Sequence, residues 1–137
     1  SSGTQHSSLY PSYLSVGLAR AIAENKRALK IFITNIGADY ESPSYKASDF
    51  IKGAYRYLQL SDGVDYKIQA LFSFNLVNFS NNKADETYVQ VDENELKKID
   101  LPYIIDNYES FDNPGKHDGS KLLKIIMELY ESFDKVV

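Results

Sequence analysis

The chain has 137 residues, of which 43% are hydrophobic and 25% charged, so length and composition predict one globular domain with a core of ordinary size. It carries a net charge of −4 and no cysteine, which argues against nucleic-acid binding and excludes disulfides, thiolate zinc sites and a cysteine nucleophile. No apolar run approaches the roughly 20 residues of a membrane-spanning helix, so we expect no membrane partner and a cytoplasmic location.

The chain begins with a polar loop that leads directly into a predicted helix over 11–26. The helix has one apolar stripe at helical spacing, formed by Leu14, Leu18, Ala21 and Ile22. The loop before it offers small polar residues and backbone N–H groups at a helix start, a place that binds phosphate well. The candidate phosphate-binding residues are Gly3, Thr4, Ser7 and Ser8. An ordinary capped helix explains the same residues equally well.

The stretch from Ala28 to Leu58 predicts a strand, a polar loop and a helix. Residues 28–34 are apolar and β-branched, as in a strand buried on both faces, and a helix begins at about Ser48. Open α/β folds bind ligands at the carboxyl ends of their strands. We therefore expect the loop over 35–45 to form half of a binding crevice.

This loop carries the side chains that point most directly to a ligand. Asn35, at the end of the strand, has an amide that can donate to and accept from a base, a sugar or a carbonyl. Asp39, Glu41 and Asp49 offer carboxylates for a Mg²⁺ ion that bridges ligand phosphates, with Asp49 as the first candidate ligand. In the alternative interpretation, Asp49 supports the helix start while the other two carboxylates are solvated.

The rest of the chain continues the alternation of strands and helices. It predicts, in order, a strand over 66–79, a short strand over 87–91, a helical turn capped by Asp92, a strand over 101–105 and a helix over 120–133. This order predicts an α/β fold with a mostly parallel sheet and helices on both faces. Because no strand precedes the first helix, we expect residues 1–137 to form one domain or the carboxyl-terminal part of a larger one.

Well-known catalytic signatures are absent from the sequence. There is no G-x-S-x-G, no G-x-x-x-x-G-K-[ST] and no G-x-G-x-x-G. No catalytic residue can be assigned, and the residues by themselves predict an α/β domain that binds a nucleotide or another phosphorylated ligand.

Three stretches together resemble one protein family. Residues 3–14 (GTQHSSLYPSYL) are similar to the family stretch GSLYTSIIPNLL, and residues 35–49 (NIGADYESPSYKASD) are similar to NVMTQPGETxGYTASD, shortened by one residue. The third stretch has two parts, residues 91–96 (VDENEL) followed by residues 117–122 (HDGSKL), and it resembles the family's closing pattern of VDxxxL and then HDxxKL. The family is that of 2-phospho-L-lactate transferase (CofD-like), which includes the bacterial gluconeogenesis factor proteins.

The resemblance implies a Rossmann-like, three-layer domain of which this chain is the carboxyl-terminal part. The transferase branch moves a phospholactyl group from a guanosine diphosphate conjugate with the help of Mg²⁺, whereas the regulatory branch binds nucleotide sugars. By the resemblance, Gly3, Ser7 and Ser8 fall on the phosphate side, and Asn35, Glu41 and Asp49 fall on the second ligand loop.

The expected partners follow from these interpretations. The ligand is a nucleotide or a nucleotide sugar, bound by a transferase or by a regulator that does no chemistry; a plain interaction module is the third alternative. A parallel sheet that lacks strands exposes unpaired edges. We therefore expect association with the amino-terminal part of the same domain or with another copy.

Overall fold

The computed structural model describes residues 4–79 and 85–136, so the prediction for Gly3 lies outside the described residues. Its sheet has three parallel strands in the order β1–β2–β3: β1 (Ile31–Ile33), β2 (Phe74–Asn78) and β3 (Tyr103–Asp106). After a π-helical turn (Gln5–Leu9), the helices are α1 (Tyr10–Tyr13), α2 (Leu18–Glu24), α3 (Ala47–Asp62), α4 (Ile68–Leu71), α5 (Glu93–Leu96) and α6 (Gly119–Asp134). The predicted α/β fold with a parallel sheet and flanking helices is confirmed.

The core lies where α3 packs over the sheet. Phe50, Ala54 and Leu58 follow one face of α3 at helical spacing, and none of them is accessible to solvent. Phe32 of β1 and Val77 of β2 belong to the same buried cluster. Burying each large apolar side chain contributes roughly 1.5–3 kcal/mol, so the contact between α3 and the sheet fixes the position of the loop between β1 and α3.

The amino-terminal helix is divided into pieces, whereas the sequence predicts one helix over 11–26. Gly17 adopts a left-handed conformation with φ of +84°, which interrupts the helical hydrogen bonds. The carboxylate of Asp62, at the end of α3, then accepts hydrogen bonds from Gly17 N at 2.7 Å and Arg20 N at 2.9 Å. The start of α2 is therefore capped by a residue that is distant in sequence.

The predicted strand over 66–79 is shorter than expected and begins with a helical turn. Gln59 of α3 binds both backbone groups of Tyr66: its Oε1 accepts from the Tyr66 amide at 2.8 Å, and its Nε2 donates to the Tyr66 carbonyl at 3.1 Å. Ile68 and Leu71 of α4 are then buried at a spacing of three residues. The alternating pattern of apolar residues predicted the wrong structure before Phe74.

The segment over 87–91 pairs with loops rather than forming a strand. Tyr88 makes an isolated antiparallel bridge to Gly37, and Gln90 makes a parallel bridge to Lys46. Asp92 is the N-cap residue of α5, as the sequence predicts, but its side chain makes no hydrogen bond to that helix. Its carboxylate instead accepts from Ser48 N at 2.9 Å and from the Ser48 hydroxyl. Lys46 is the N-cap residue of α3, which begins at Ala47, one residue before the predicted start.

Helix α6 begins and ends within one residue of the predicted bounds. Asp118 caps its start by accepting from Ser120 N at 2.8 Å and Lys121 N at 3.0 Å. None of its residues is buried. No helix within residues 4–79 and 85–136 is long and apolar enough to cross a bilayer.

Gly53 should be intolerant of a side chain because Tyr10 lies directly against it. A Cβ at Gly53 would approach the Tyr10 hydroxyl to 2.0 Å, while Tyr10 is stacked on Tyr57 and its hydroxyl accepts from Gln5 Nε2 at 2.6 Å. Gly53→Ala should lower the free energy of unfolding by about 1–2 kcal/mol, because overpacking outweighs the gain in helix propensity. Chemical denaturation measures it.

Gly119→Ala is the matched control, since nothing lies within 4 Å of a Cβ at that position at the start of α6. It should change the free energy of unfolding by no more than about 0.5 kcal/mol. Equal effects of the two substitutions would contradict the assigned contact with Tyr10.

Candidate functional site

A cavity of about 600 Å³ opens at the carboxyl end of β1. This volume lies within the usual range of small-molecule sites, roughly 300–1,000 Å³. Three segments form most of its wall: residues 35–39 after β1, residues 85–88, and residues 114–117 before α6. The expected crevice beside the β1–α3 loop is therefore present, and its opposite wall comes from two segments far along the chain. We call it the β1 crevice.

Backbone hydrogen bonds hold the first two walls together. Ala38 N donates to Thr87 O and Val89 N donates to Ile36 O, each at 2.8 Å. Gly37 lies between these bonds, and a Cβ there would be 3.6 Å from the carbonyl oxygen of Gly115. Hydrogen bonds to residues 87 and 89 therefore hold the backbone of the crevice on both sides of Gly37.

Asn35 and Asp39 are the polar side chains that the β1–α3 loop presents to the crevice. Asn35 makes no side-chain hydrogen bond with any residue in the described part of the chain, so its amide is available to a ligand. Asp39 Oδ1 accepts from Glu41 N at 2.9 Å and from Ser42 N at 2.8 Å, which orients the carboxylate. Its Oδ2 is buried without a hydrogen-bond partner among the described atoms.

The wall over 114–117 is fixed by Glu109. Its Oε1 accepts from the Tyr88 hydroxyl at 2.6 Å and from Gly115 N at 2.7 Å. The hydrogen bond to Glu109 is the main cause that raises the pKa of Tyr88, so the phenol stays protonated and keeps donating. Gly115 has φ of +79°, a left-handed conformation that turns the chain so that Lys116 and His117 also line the crevice.

His117 is half-buried and lines the crevice. Its Nε2 donates to the carbonyl oxygen of Thr34, the last residue before Asn35, at 3.1 Å. Burial is the main cause that lowers the pKa of His117 below its ordinary value, which favours the neutral ring. With the proton on Nε2, Nδ1 carries the lone pair and can accept a hydrogen bond or a proton.

The amino-terminal residues form a separate network beside the crevice. Glu41 Oε2 accepts from the Thr4 hydroxyl and from Ser7 N at 3.3 Å. The Thr4 hydrogen bond is the main cause that lowers the pKa of Glu41. Thr4 also lines the crevice, whereas Ser7 and Glu41 do not.

The predicted site residues therefore divide into two groups. Thr4, Asn35 and Asp39 meet in the crevice. Ser8 is exposed, its amide donating to Thr4 O at 3.0 Å, and Asp49 uses its carboxylate to accept from Lys46 N at 2.8 Å. Neither Ser8 nor Asp49 lines the cavity.

Several lining residues were not selected from the sequence as site residues: Thr87, Tyr88, Gly115, Lys116 and His117. His117 stands in the HDGSKL stretch already noted, so that stretch could have placed it in the site. The other four belong to irregular segments, whose approach to β1 depends on long-range pairing that leaves no local pattern.

These features define an α/β protein with a candidate ligand site at the carboxyl end of a parallel strand. Two crystal structures of one Bacillus halodurans protein, described in one of them as a member of the UPF0052 family, are similar to it. One has a TM-score of 0.62 and covers 81% of this chain and 36% of that chain. The other has a TM-score of 0.72 and covers 93% of this chain and 41% of that chain. The sequence identity is 24% in both comparisons.

At 24% sequence identity, the similarity to these two crystal structures shows only the fold of this chain. This chain spans about two fifths of the length of the Bacillus halodurans protein. No family model matches the sequence, and no curated protein matches it.

The buried His117 should make stability depend on pH. The unfolded chain binds a proton near the ordinary pKa of 6.5, whereas the folded chain binds it only at lower pH, so stability should fall as the pH falls through this window. Chemical denaturation between about pH 7.5 and pH 5.5 measures this loss, and the ring signals of His117 in an NMR titration locate its pKa. His117→Gln should reduce the pH dependence; an unchanged dependence would contradict this assignment.

Proposed function

We propose that the β1 crevice binds a ligand that contains a nucleotide diphosphate. The observation that carries this proposal is a cavity of about 600 Å³ at a strand end, with an unpaired acid oxygen on one wall and a cation on another. Lys116 makes no ion pair or side-chain hydrogen bond with another described residue, so its ammonium group is available to phosphate oxygens. Asp39 Oδ2 would accept from ribose or sugar hydroxyls, and the amide of Asn35 would bind a base or a carbonyl.

The fold likeness supports the same class of ligand. UPF0052, the family named for the Bacillus halodurans protein, is the CofD and gluconeogenesis factor family. The three sequence stretches that resemble this family include Thr4, Asn35 and His117, which line the crevice. We propose on this basis that the chain is a member of that family.

We propose that Mg²⁺ binds in the crevice together with the diphosphate ligand. Of the three carboxylates considered for it, Asp39 alone lines the crevice, since Glu41 is bound by Thr4 and Asp49 by Lys46. Within residues 4–79 and 85–136, no group of three or more acidic or histidine side chains is placed to hold a metal. Mg²⁺ would therefore take most of its ligands from phosphate and water, as it commonly does.

Transfer of a phospho-acyl-type group from the nucleotide conjugate is the activity we propose for this site. An acceptor hydroxyl would attack the phosphorus atom of the transferred group, and the bridging P–O bond would break so that the nucleoside monophosphate leaves with the electron pair. His117 lines the crevice, and its Nδ1 lone pair can take the proton that the hydroxyl loses. Lys116 and backbone N–H groups of the crevice would stabilise the phosphate charge that develops.

A regulator that binds a nucleotide sugar without turnover is the second candidate. The observation that favours it is the buried Oδ2 of Asp39, because a sugar supplies hydroxyl donors for such an acceptor. Product formed from a bound donor would reject the regulator, and binding without product would reject the transferase.

Calorimetric titration of the protein with guanosine and uridine diphosphates and their sugar conjugates, with and without Mg²⁺, tests the proposal. Lys116→Ala should weaken binding about tenfold, equivalent to about 1.4 kcal/mol, because a charge-assisted contact with phosphate is lost. Lys124→Ala provides the matched control, since this exposed lysine lies in α6 and does not line the crevice; its affinity should equal that of the unsubstituted protein.

Failure of every ligand in the panel to bind would reject nucleotide binding. Equal weakening by the two lysine substitutions would show that Lys116 acts through general charge and not through a contact in the crevice.

A further inference from the structure

Gly37 contributes main-chain groups to the β1 crevice that the protein itself does not use. It forms an isolated antiparallel bridge with Tyr88, and the two hydrogen bonds of this bridge are donated by Ala38 N and accepted by Ile36 O. Gly37 and Tyr88 are therefore a non-hydrogen-bonded pair, in which the N–H and C=O groups of each residue point away from the other segment. Both main-chain groups of Gly37 thus point away from residues 87–89.

These two groups have no partner in the part of the chain that the structure describes. Neither the N–H nor the C=O of Gly37 makes a hydrogen bond within residues 4–79 and 85–136. Because glycine has no side chain, Gly37 can contribute only main-chain atoms to the crevice wall. A ligand that fills the crevice therefore meets a free hydrogen donor and a free acceptor on the same residue.

A donor beside an acceptor favours one kind of ligand group. A phosphate could accept from the Gly37 N–H, but it would also face the Gly37 carbonyl, to which it has no hydrogen to donate. The edge of a nucleobase instead presents a donor next to an acceptor, as in the ring N–H and the carbonyl of uracil or guanine. Such an edge would satisfy both groups at once. Ala38 and Pro114, which also line the crevice, are apolar and suit contact with a planar ring.

We infer that the main chain of Gly37 binds the base of the nucleotide. The Gly37 N–H donates to a carbonyl oxygen of the base, and the Gly37 C=O accepts from the adjacent ring N–H. This inference rests on the proposed binding of a nucleotide diphosphate and adds which atoms read the base. A base that cannot pair would leave both groups of Gly37 covered and unsatisfied, so the site should discriminate against it. Because only main-chain atoms take part, no side-chain motif in the sequence marks this contact.

Methylated uridine diphosphates test the pairing by calorimetry. A methyl group on N3 removes the ring N–H and should weaken binding at least about tenfold relative to uridine diphosphate, because the Gly37 carbonyl is left without a donor. A methyl group on C5 leaves the paired edge intact and is the matched control, whose affinity should stay within about twofold of the parent. Guanosine diphosphate and its N1-methyl derivative give the same comparison for a purine.

NMR of the ¹⁵N-labelled protein observes the pairing group itself. Binding of the nucleotide should move the Gly37 amide proton downfield and slow its hydrogen exchange at least about tenfold, because this amide gains a hydrogen bond. Inorganic pyrophosphate, which has no base, should leave the Gly37 amide unchanged. The Ala38 amide already donates to Thr87 O and is the internal control, since its exchange should stay the same.

Two substitutions at Gly37 separate the loss of the N–H from the added bulk. Gly37→Pro removes the donor without breaking a hydrogen bond among the described residues, and Gly37 does not adopt the positive φ that proline cannot reach. Gly37→Ala keeps the donor and also adds a Cβ, which would be 3.6 Å from Gly115 O. The proline variant should bind the nucleotide at least about tenfold more weakly than the alanine variant. Circular dichroism checks that both variants fold.

The outcomes separate this inference from the proposed function. Equal affinity for the N3-methyl and C5-methyl ligands, an unmoved Gly37 amide in the saturated complex, or equal affinity of the two folded variants would overturn the role of Gly37 and leave nucleotide binding in place. Failure of every diphosphate to bind would reject the proposed function and this inference with it.

Discussion

Thr34 connects the sheet to the candidate site through three hydrogen bonds. Its amide donates to Leu76 O in β2, its hydroxyl donates to Asn75 Oδ1 at 2.9 Å, and its carbonyl accepts from His117 Nε2. The residue is only 1% exposed, so losing any of these bonds would leave a buried polar group unsatisfied. The end of β1, the neighbouring strand and the start of α6 therefore depend on one another.

The same strand serves two features of the molecule. Its carboxyl end opens into the β1 crevice, and its residues line a second cavity, of about 340 Å³. The helix α3 holds β1 from one face by burying Phe50, Ala54 and Leu58, while α6 contributes Leu122 from a helix with no buried residue. The protein is thus well packed on the α3 side of the sheet and open at the β1 edge.

The sequence predicted those elements whose signals are local. Helix α6 lies within one residue of the bounds predicted from the sequence, and α3 begins one residue before its predicted start at Ser48. The predictions were wrong where a distant side chain replaced a local hydrogen bond. Asp62 caps α2 after the break at Gly17, and Gln59 binds the backbone of Tyr66 that the alternating pattern assigned to a strand.

For the candidate site, the sequence by itself determined one wall: a strand that ends at Asn35 and a polar loop that contains Asp39. Only the tertiary structure decided which residues face them. Glu109 accepts from the Tyr88 hydroxyl and from the amide of Gly115, the residue before Lys116, and His117 donates to Thr34 O. It also decided that Glu41 and Asp49 bind nearby protein groups. Composition and periodicity report local preference, whereas the partner of a buried polar group is fixed by the packing that brings distant segments together.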